Sequence, residues 1–351
     1  MKINKNTILP LDKFIEFALY DKDTGYYMKK DPFGAEGDFI TAPNITRLFS
    51  EIIAVWIITF WKSLGSPKKF NILELGAGNG EMMKVIISTL KNFPECFNSC
   101  KFLIHEKSTF LKKQQHKNLK LENVIWEDDI KKFDSCPTIF LANEFFDALP
   151  IKQFFKKNEG WVERFVNLKE IDHAKFEEQF IDIKKIEKEL NFEISKDQEI
   201  IEYSPSSFEY LKDICSLINN NNGGLLIIDY GYLNSKMHET LQAINKHKYS
   251  NVLEDVGHSD ITYNINFNIF KKYIDQFEDL NSISCNQKKF LTSMGIIQRA
   301  EIVSENIPFS KKSDLFYRVR RLIDEKQMGE LFKVMLIKKR SNEFKTGFEI
   351  D

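Results

Sequence analysis

The residue types best suited to chemistry sit where apolar strands run out. In Ile72-Leu73-Glu74-Leu75-Gly76-Ala77-Gly78-Asn79-Gly80 a strand-like run enters three alternating glycines and then a helix. Gly76, Gly78 and Gly80, with Ala77 among them, permit positive φ and let a ligand approach the backbone. Glu74, just before the glycines, can pair with a ligand's ammonium group. A dinucleotide fingerprint wants a small residue at position 81; Glu81 stands there. That carboxylate is costly beside a pyrophosphate and easier to reconcile with a cationic ligand. An ordinary tight strand–helix turn explains a lone glycine triplet about as well.

The following strands repeat the pattern. The next ends at Glu106, where a carboxylate can hydrogen-bond both hydroxyls of a ribose. A third ends in Trp126-Glu127-Asp128-Asp129; Asp128 can accept from an adenine amino group, while Asp129 serves equally well as a helix cap. The fourth ends in Asn143-Glu144-Phe145-Phe146-Asp147-Ala148-Leu149-Pro150. Glu144 and Asp147 are the candidate catalytic carboxylates, and Asn143 can orient one of them or touch a cofactor. Successive acidic strand ends suited to a positively charged adenosine make S-adenosyl-L-methionine the economical ligand.

These strand ends need a frame. Strands expected at Phe70–Leu75, Lys101–Glu106, Val124–Glu127, Thr138–Asn143 and Leu225–Tyr230 alternate with helices expected at Gly80–Asn92, Ser108–Lys117 and Ser206–Asn219, which argues for a parallel sheet covered by helices. Before it lies a helical lead-in, residues 1–68, with helices over Leu11–Tyr20 and Arg47–Leu64. Between those helices the stretch Phe33 to Pro43 is too rich in Gly and Pro for a regular element. Residues 151–203 break the alternation with aromatics spaced among Lys and Glu, and read as inserted antiparallel hairpins with one wet face. The charge run Lys184–Glu189 reads as solvated surface. A mixed tail follows, strand-like at Asp260–Phe267, helix-like at Asn268–Gln276 and Ser310–Glu325, and closing in a strand at Leu331–Lys338. The expected main domain is 69–341, with a C-terminal elaboration at 250–330.

Composition narrows the class of function. Lys plus Arg total 50 and Asp plus Glu 51, so no global field draws in nucleic acid. The longest apolar run, Ile52 to Trp61, is short of the roughly 20 residues of a membrane span and reads as a buried helix; no membrane insertion is expected. Neither an apolar signal nor an Arg-rich presequence opens the chain, which suggests a cytoplasmic or a mature protein. Five cysteines fit neither a disulfide framework nor the paired spacing of a zinc site, and no metal site is expected. The histidines offer no triad, and no cysteine sits in a nucleophile's context.

Taken together, Gly37-Asp38-Phe39-Ile40-Thr41-Ala42-Pro43, Glu74 to Gly80, Asn143 to Pro150, Asp229-Tyr230-Gly231 and Met328 to Val334 resemble the MidA-like family of class I S-adenosylmethionine-dependent methyltransferases, some of whose members act in mitochondrial complex I assembly. The resemblance runs from Tyr20 to Lys338. It implies an α/β fold with a Rossmann-like methyltransferase sheet, a helical N-terminal lead-in and inserted hairpins. It implies that the loop Gly37–Pro43 folds over the cofactor with Asp38 and Thr41 in contact, and that the acceptor is an arginine of a complex I core subunit, dimethylated symmetrically. Asn264 and Asn266 stand where the family has His and Asp, and Ser50 where it has Gly.

An arginine acceptor stays protonated at neutral pH and needs carboxylates that align its guanidinium and take a proton. Glu144 and Asp147 fit that need, by bidentate pairing. The competing readings are an assembly scaffold that holds the cofactor with little catalysis and a methyltransferase acting on small molecules.

Overall fold

The computed structural model describes residues 7–29, 41–120, 122–132, 135–168, 174–245 and 248–349. Asp38 and the first part of the loop Gly37–Pro43 lie outside the described residues. The chain opens on β1 (Thr7–Pro10) and a helix at Leu11–Tyr20. Then β2 (Phe70–Leu75), β3 (Cys100–His105), β4 (Val124–Trp126) and β5 (Thr138–Asn143) alternate with helices. The hairpin region contributes β6 (Lys152–Lys157), β7 (Gly160–Leu168), β8 (Lys175–Ile181) and β9 (Ile200–Tyr203), after which β10 (Gly223–Tyr232) returns to the main sheet. A small trio, β11 (Gln242–Asn245), β12 (Lys248–Ser250) and β13 (Asp260–Thr262), precedes β14 (Ile265–Asn266), β15 (Leu280–Asn286) and β16 (Phe332–Lys339).

The main sheet has the order β15-β16-β10-β5-β2-β3-β4, with β14 beside the end of β10. It is parallel from β10 to β4, and β16 runs antiparallel to both its neighbours. Period-two alternation sends successive residues to opposite faces. Leu73, Leu75, Phe140, Ala142, Leu225 and Ile227 enter one core, and Ile72, Ile139, Leu141, Leu226 and Ile228 enter another. Burial on both faces is what a central parallel strand requires. Chain order runs outward from β2 through β3 and β4 on one side, and through β5 and β10 on the other. The order therefore reverses between β2 and β5, and ligands of such sheets bind beyond the strands' carboxyl ends at that switch.

The run Ile52 to Trp61 lies within the helix Arg47–Ser63, which packs on the second core through Trp56 and Phe60, rings stacked at 5.1 Å. Among the described residues no helix is long and apolar enough to cross a membrane.

Several elements depart from the sequence reading. Ala42-Pro43 is not irregular but begins a short helix, Ala42–Ile45, with Thr41 at its N-cap and proline in the first turn, where its missing N–H costs nothing. The charge run Lys184–Glu189 lies in a helix, Ile183–Leu190, that keeps Lys184, Lys185, Lys188 and Glu189 exposed as expected; Glu187 departs, being buried and accepting from the Ser195 backbone and hydroxyl. The hairpins do not stand alone, because β1 pairs antiparallel with β7, Thr7 opposite Leu168. The expected strand Asp260–Phe267 is divided into β13 and β14, and the helix Phe267–Ile274 starts at once.

Asn266 explains that last boundary. Its Oδ1 accepts the Asn268 and Ile269 N–H groups at 2.9 and 3.3 Å. Asn and Asp cap helices about equally well, so the replacement of Asp by Asn preserves the cap. Asn266→Ala should lower stability by about 1 kcal/mol, read from a urea unfolding curve.

Candidate active site

A cavity of about 960 Å³ opens at the carboxyl edge of the main sheet, over the switch point. Its lining includes ten carboxylates against five Lys or Arg side chains. Most rim acids are compensated: Asp213 pairs with Lys131, and Glu16 with Lys13 and Lys107. Glu106, Glu144 and Asp147 pair with no described cation, and they decide the chemistry.

One half of the cavity is built on the glycine turn. Gly76, Gly78 and Gly80 take φ of +61°, +53° and +82°, values that side chains resist. A Cβ on Gly76 would fall 2.8 Å from the Phe145 ring, so the close approach at Gly76 excludes any side chain. Gln115 fastens this half together: its amide donates to the Gly78 carbonyl at 2.9 Å and to Glu106 Oε2 at 3.0 Å, and accepts from the Trp126 indole at 2.9 Å. Glu106 is buried one residue past β3, with Oε1 held by the Ser108 N–H at 2.8 Å. Burial raises its carboxyl above the ordinary range.

The candidates from sequence divide. Thr41, Gly76, Gly78, Glu106, Asp128, Glu144 and Asp147 line the cavity. Asp128 does so from an exposed position, paired with Lys112. Glu74, Ala77, Gly80 and Asn143 are not among its lining residues. For Glu74 the cause is alternation along β2, which turns it to the face of Ile72 and of the helix Glu81–Leu90. There the Met83 N–H reaches it, and burial together with the Glu106 charge pushes it up to about 8. It sits behind the turn, outside the cavity's lining. Asn143 ends β5, and its amide donates to Glu144 Oε1 at 3.3 Å.

The other half is a carboxylate cluster. Glu144 adopts φ of +50°, unusual for a residue with a side chain. Its N–H still completes the sheet through the Ile228 carbonyl at 2.9 Å, and its Oε1 also accepts the Ala42 N–H at 3.4 Å. Burial pushes Glu144 up to about 7, opposed by those two donors. Asp147 is raised by burial and by the Glu144 charge, with Oδ2 accepting the Thr262 hydroxyl at 3.0 Å.

Sequence reasoning missed the residue that holds this turn. Asp229 is fully buried near the end of β10; Oδ2 accepts the Phe146 and Asp147 N–H groups at 3.0 and 3.3 Å, and Oδ1 the Tyr230 N–H at 2.9 Å. Asp229→Ala should leave those amides unpaired, each at a cost of about 1–3 kcal/mol, and release the strained turn. We expect a lower urea midpoint and a drop in kcat that persists at temperatures where the variant remains folded.

Glu144, Asp147 and Asp229 form no ion pair with any described residue. Neighbouring carboxylates cannot all ionise in a dry site unless a cation joins them. The cavity is thus suited to two positive ligand groups, one near the glycine turn and one over the Glu144–Asp147 turn.

Over residues 52–284 the sequence matches the family described as "Putative S-adenosyl-L-methionine-dependent methyltransferase". The chain belongs to this methyltransferase family. Protein arginine methyltransferase NDUFAF7, mitochondrial, from Xenopus tropicalis is 28% identical, the alignment covering 95% of this chain and 83% of that protein. The Homo sapiens protein of the same name is 26% identical, over 94% and 80% of the two chains. A Burkholderia thailandensis protein crystallised with S-adenosyl-homocysteine superposes with a TM-score of 0.80 at 22% identity, covering 97% of this chain and 90% of that one. The fold is therefore that of the methyltransferases, and the enzyme depends on S-adenosylmethionine. The residues present suit that cofactor: Gly76 and Gly78 line the cavity without side chains, and the adjoining wall is acidic, as a sulfonium prefers.

Proposed function

We propose that the protein transfers a methyl group from S-adenosylmethionine to an arginine side chain of a protein. The observation that carries this reading is the pair Glu144 and Asp147, which line the cavity with no ion pair to any described residue and which a guanidinium would neutralise. The relatives named protein arginine methyltransferase support it. The partner we propose is a core subunit of respiratory complex I, as the sequence resemblance implies. The compartment is the mitochondrial matrix, which the relatives' names favour, or a bacterial cytoplasm.

In this reading Thr41, Gly76, Gly78 and Glu106 hold the cofactor, with Asp128 at the adenine end and Asp38 in the loop above. Glu74, Ala77 and Gly80 shape the turn from behind, and Asn143 acts through Glu144. When bound, the cofactor supplies an electrophilic methyl on a sulfonium. Glu144 and Asp147 pair with the guanidinium and fix its plane. As the new N–C bond forms, that nitrogen gives its proton to Glu144, and the product leaves as a methylguanidinium.

The acid–base step has a signature in pH. The proton acceptor must be ionised, and burial has raised it to about 7. Activity should therefore fall as pH drops through 7, far above the usual carboxylate range. Below that point kcat/KM, which reports the free enzyme, should lose about tenfold per pH unit. A rate flat from pH 5.5 to 8 would remove Glu144 as the base.

The reading is tested by incubating the purified protein with methyl-labelled S-adenosylmethionine and lysate from cells that lack it, then hydrolysing the product. Label on methylarginine in one protein band is the expected result. Label in small molecules would point to a different acceptor class, and no label despite cofactor binding would point to a scaffold.

A further inference from the structure

Beside Glu106 stands a histidine bonded through both ring nitrogens. His105 ends β3, and its backbone carbonyl accepts the Gly76 N–H at 2.9 Å. Its Nδ1 lies 3.0 Å from the Glu127 carbonyl, and its Nε2 lies 2.9 Å from the hydroxyl of Tyr210, a residue of the helix Pro205–Asn221. Tyr210 in turn packs edge-on against Phe145, centroids 5.1 Å apart, the ring that closes on Gly76. His105, Tyr210, Phe145, Gly76 and Glu106 all line the cavity.

The partners fix the direction of each bond. A carbonyl only accepts, so Nδ1 carries the proton. Burial disfavours a second proton on the ring, so Nε2 is an acceptor at neutral pH and the Tyr210 hydroxyl donates to it. A hydroxyl has one proton and two lone pairs. With the proton committed to His105, Tyr210 offers the cavity an oxygen that can only accept. The nucleoside of S-adenosylmethionine carries matching donors, its adenine amino group and its ribose hydroxyls.

We propose that Tyr210 is a cofactor-binding residue: its hydroxyl oxygen accepts a hydrogen bond from the nucleoside, and His105 is the positioning residue that holds the hydroxyl proton away from it. The proposal rests on the placing of the cofactor over the glycine turn and Glu106, and is independent of the methyl acceptor.

The test is calorimetric titration of the full-length protein with S-adenosylhomocysteine and with methylthioadenosine, which keeps the nucleoside and lacks the amino acid; a urea curve checks the fold of each variant. Tyr210→Phe should weaken both ligands by the same factor, about five- to tenfold, the worth of one hydrogen bond. His105→Asn keeps a donor for the Glu127 carbonyl and removes the acceptor for Tyr210, and should weaken both ligands about threefold. His105→Gln restores an acceptor and should bind both more tightly than His105→Asn. If Tyr210→Phe does not fold, the two His105 variants decide. Wild-type affinity in Tyr210→Phe, a loss confined to S-adenosylhomocysteine, or equal binding by the two His105 variants would overturn the assignment. Wild-type affinity in Glu106→Ala would instead overturn the placing of the cofactor, and the Tyr210 assignment with it.

Discussion

Glu144→Gln should reduce methyl transfer by about 10²- to 10⁴-fold, the range general acid–base groups contribute, while leaving cofactor affinity within a few-fold. The substitution keeps shape and an oxygen able to accept the Ala42 N–H now 3.4 Å from Oε1. It removes the capacity to take a proton. It also removes one of the charges that raise Asp147 and Asp229, so the remaining carboxylates ionise more readily. A single-turnover measurement with labelled cofactor separates this loss from any change in product release. Activity within threefold of the wild type would exclude Glu144 as the proton acceptor.

Gly76→Ala should cut S-adenosylhomocysteine affinity at least tenfold and destabilise the protein by about 1–3 kcal/mol. Two penalties coincide there. The backbone has φ of +61°, and the new Cβ would lie 2.8 Å from Phe145 Cδ2. That ring has little freedom to yield, because it is held edge-on by Phe146 at 5.3 Å and Tyr210 at 5.1 Å. Any displacement carries it into the cavity it lines. Calorimetry with S-adenosylhomocysteine and a urea curve report the two effects separately. Wild-type affinity in this variant would mean that the close approach at Gly76 is not used by the cofactor.

The frame and the glycine turn were legible because their signals are local. β2 and β5 occupy the residues their apolar runs mark, Phe70–Leu75 and Thr138–Asn143, since a strand buried on both faces writes itself as a continuous apolar segment. Glu106, Glu144 and Asp147, singled out by the rule that strands' carboxyl ends bear ligands, line the cavity. Glu74 shows the limit of that rule: being at a strand end says nothing of which face the side chain takes, and alternation turned it behind the loop. Asp229 was visible only as part of a motif, because the amides it holds lie 82 and 83 residues earlier in the chain. Tyr27 meets Asp260 across 233 residues. Such long-range partners leave no periodicity to read. β1 escaped for another reason: four residues are too few to show a pattern, and only pairing with β7 makes them a strand.

The central claim is that one cavity is divided into a cofactor half at the glycine turn and an acceptor half at the Glu144–Asp147 turn. Calorimetric titration of the purified protein with S-adenosylhomocysteine tests it most directly, using wild type, Glu106→Ala and Glu144→Gln. The account predicts a single site in the wild type, binding weakened at least tenfold in Glu106→Ala, and near-normal binding in Glu144→Gln. Wild-type affinity in Glu106→Ala, or loss of binding in Glu144→Gln with its fold intact, would contradict that division.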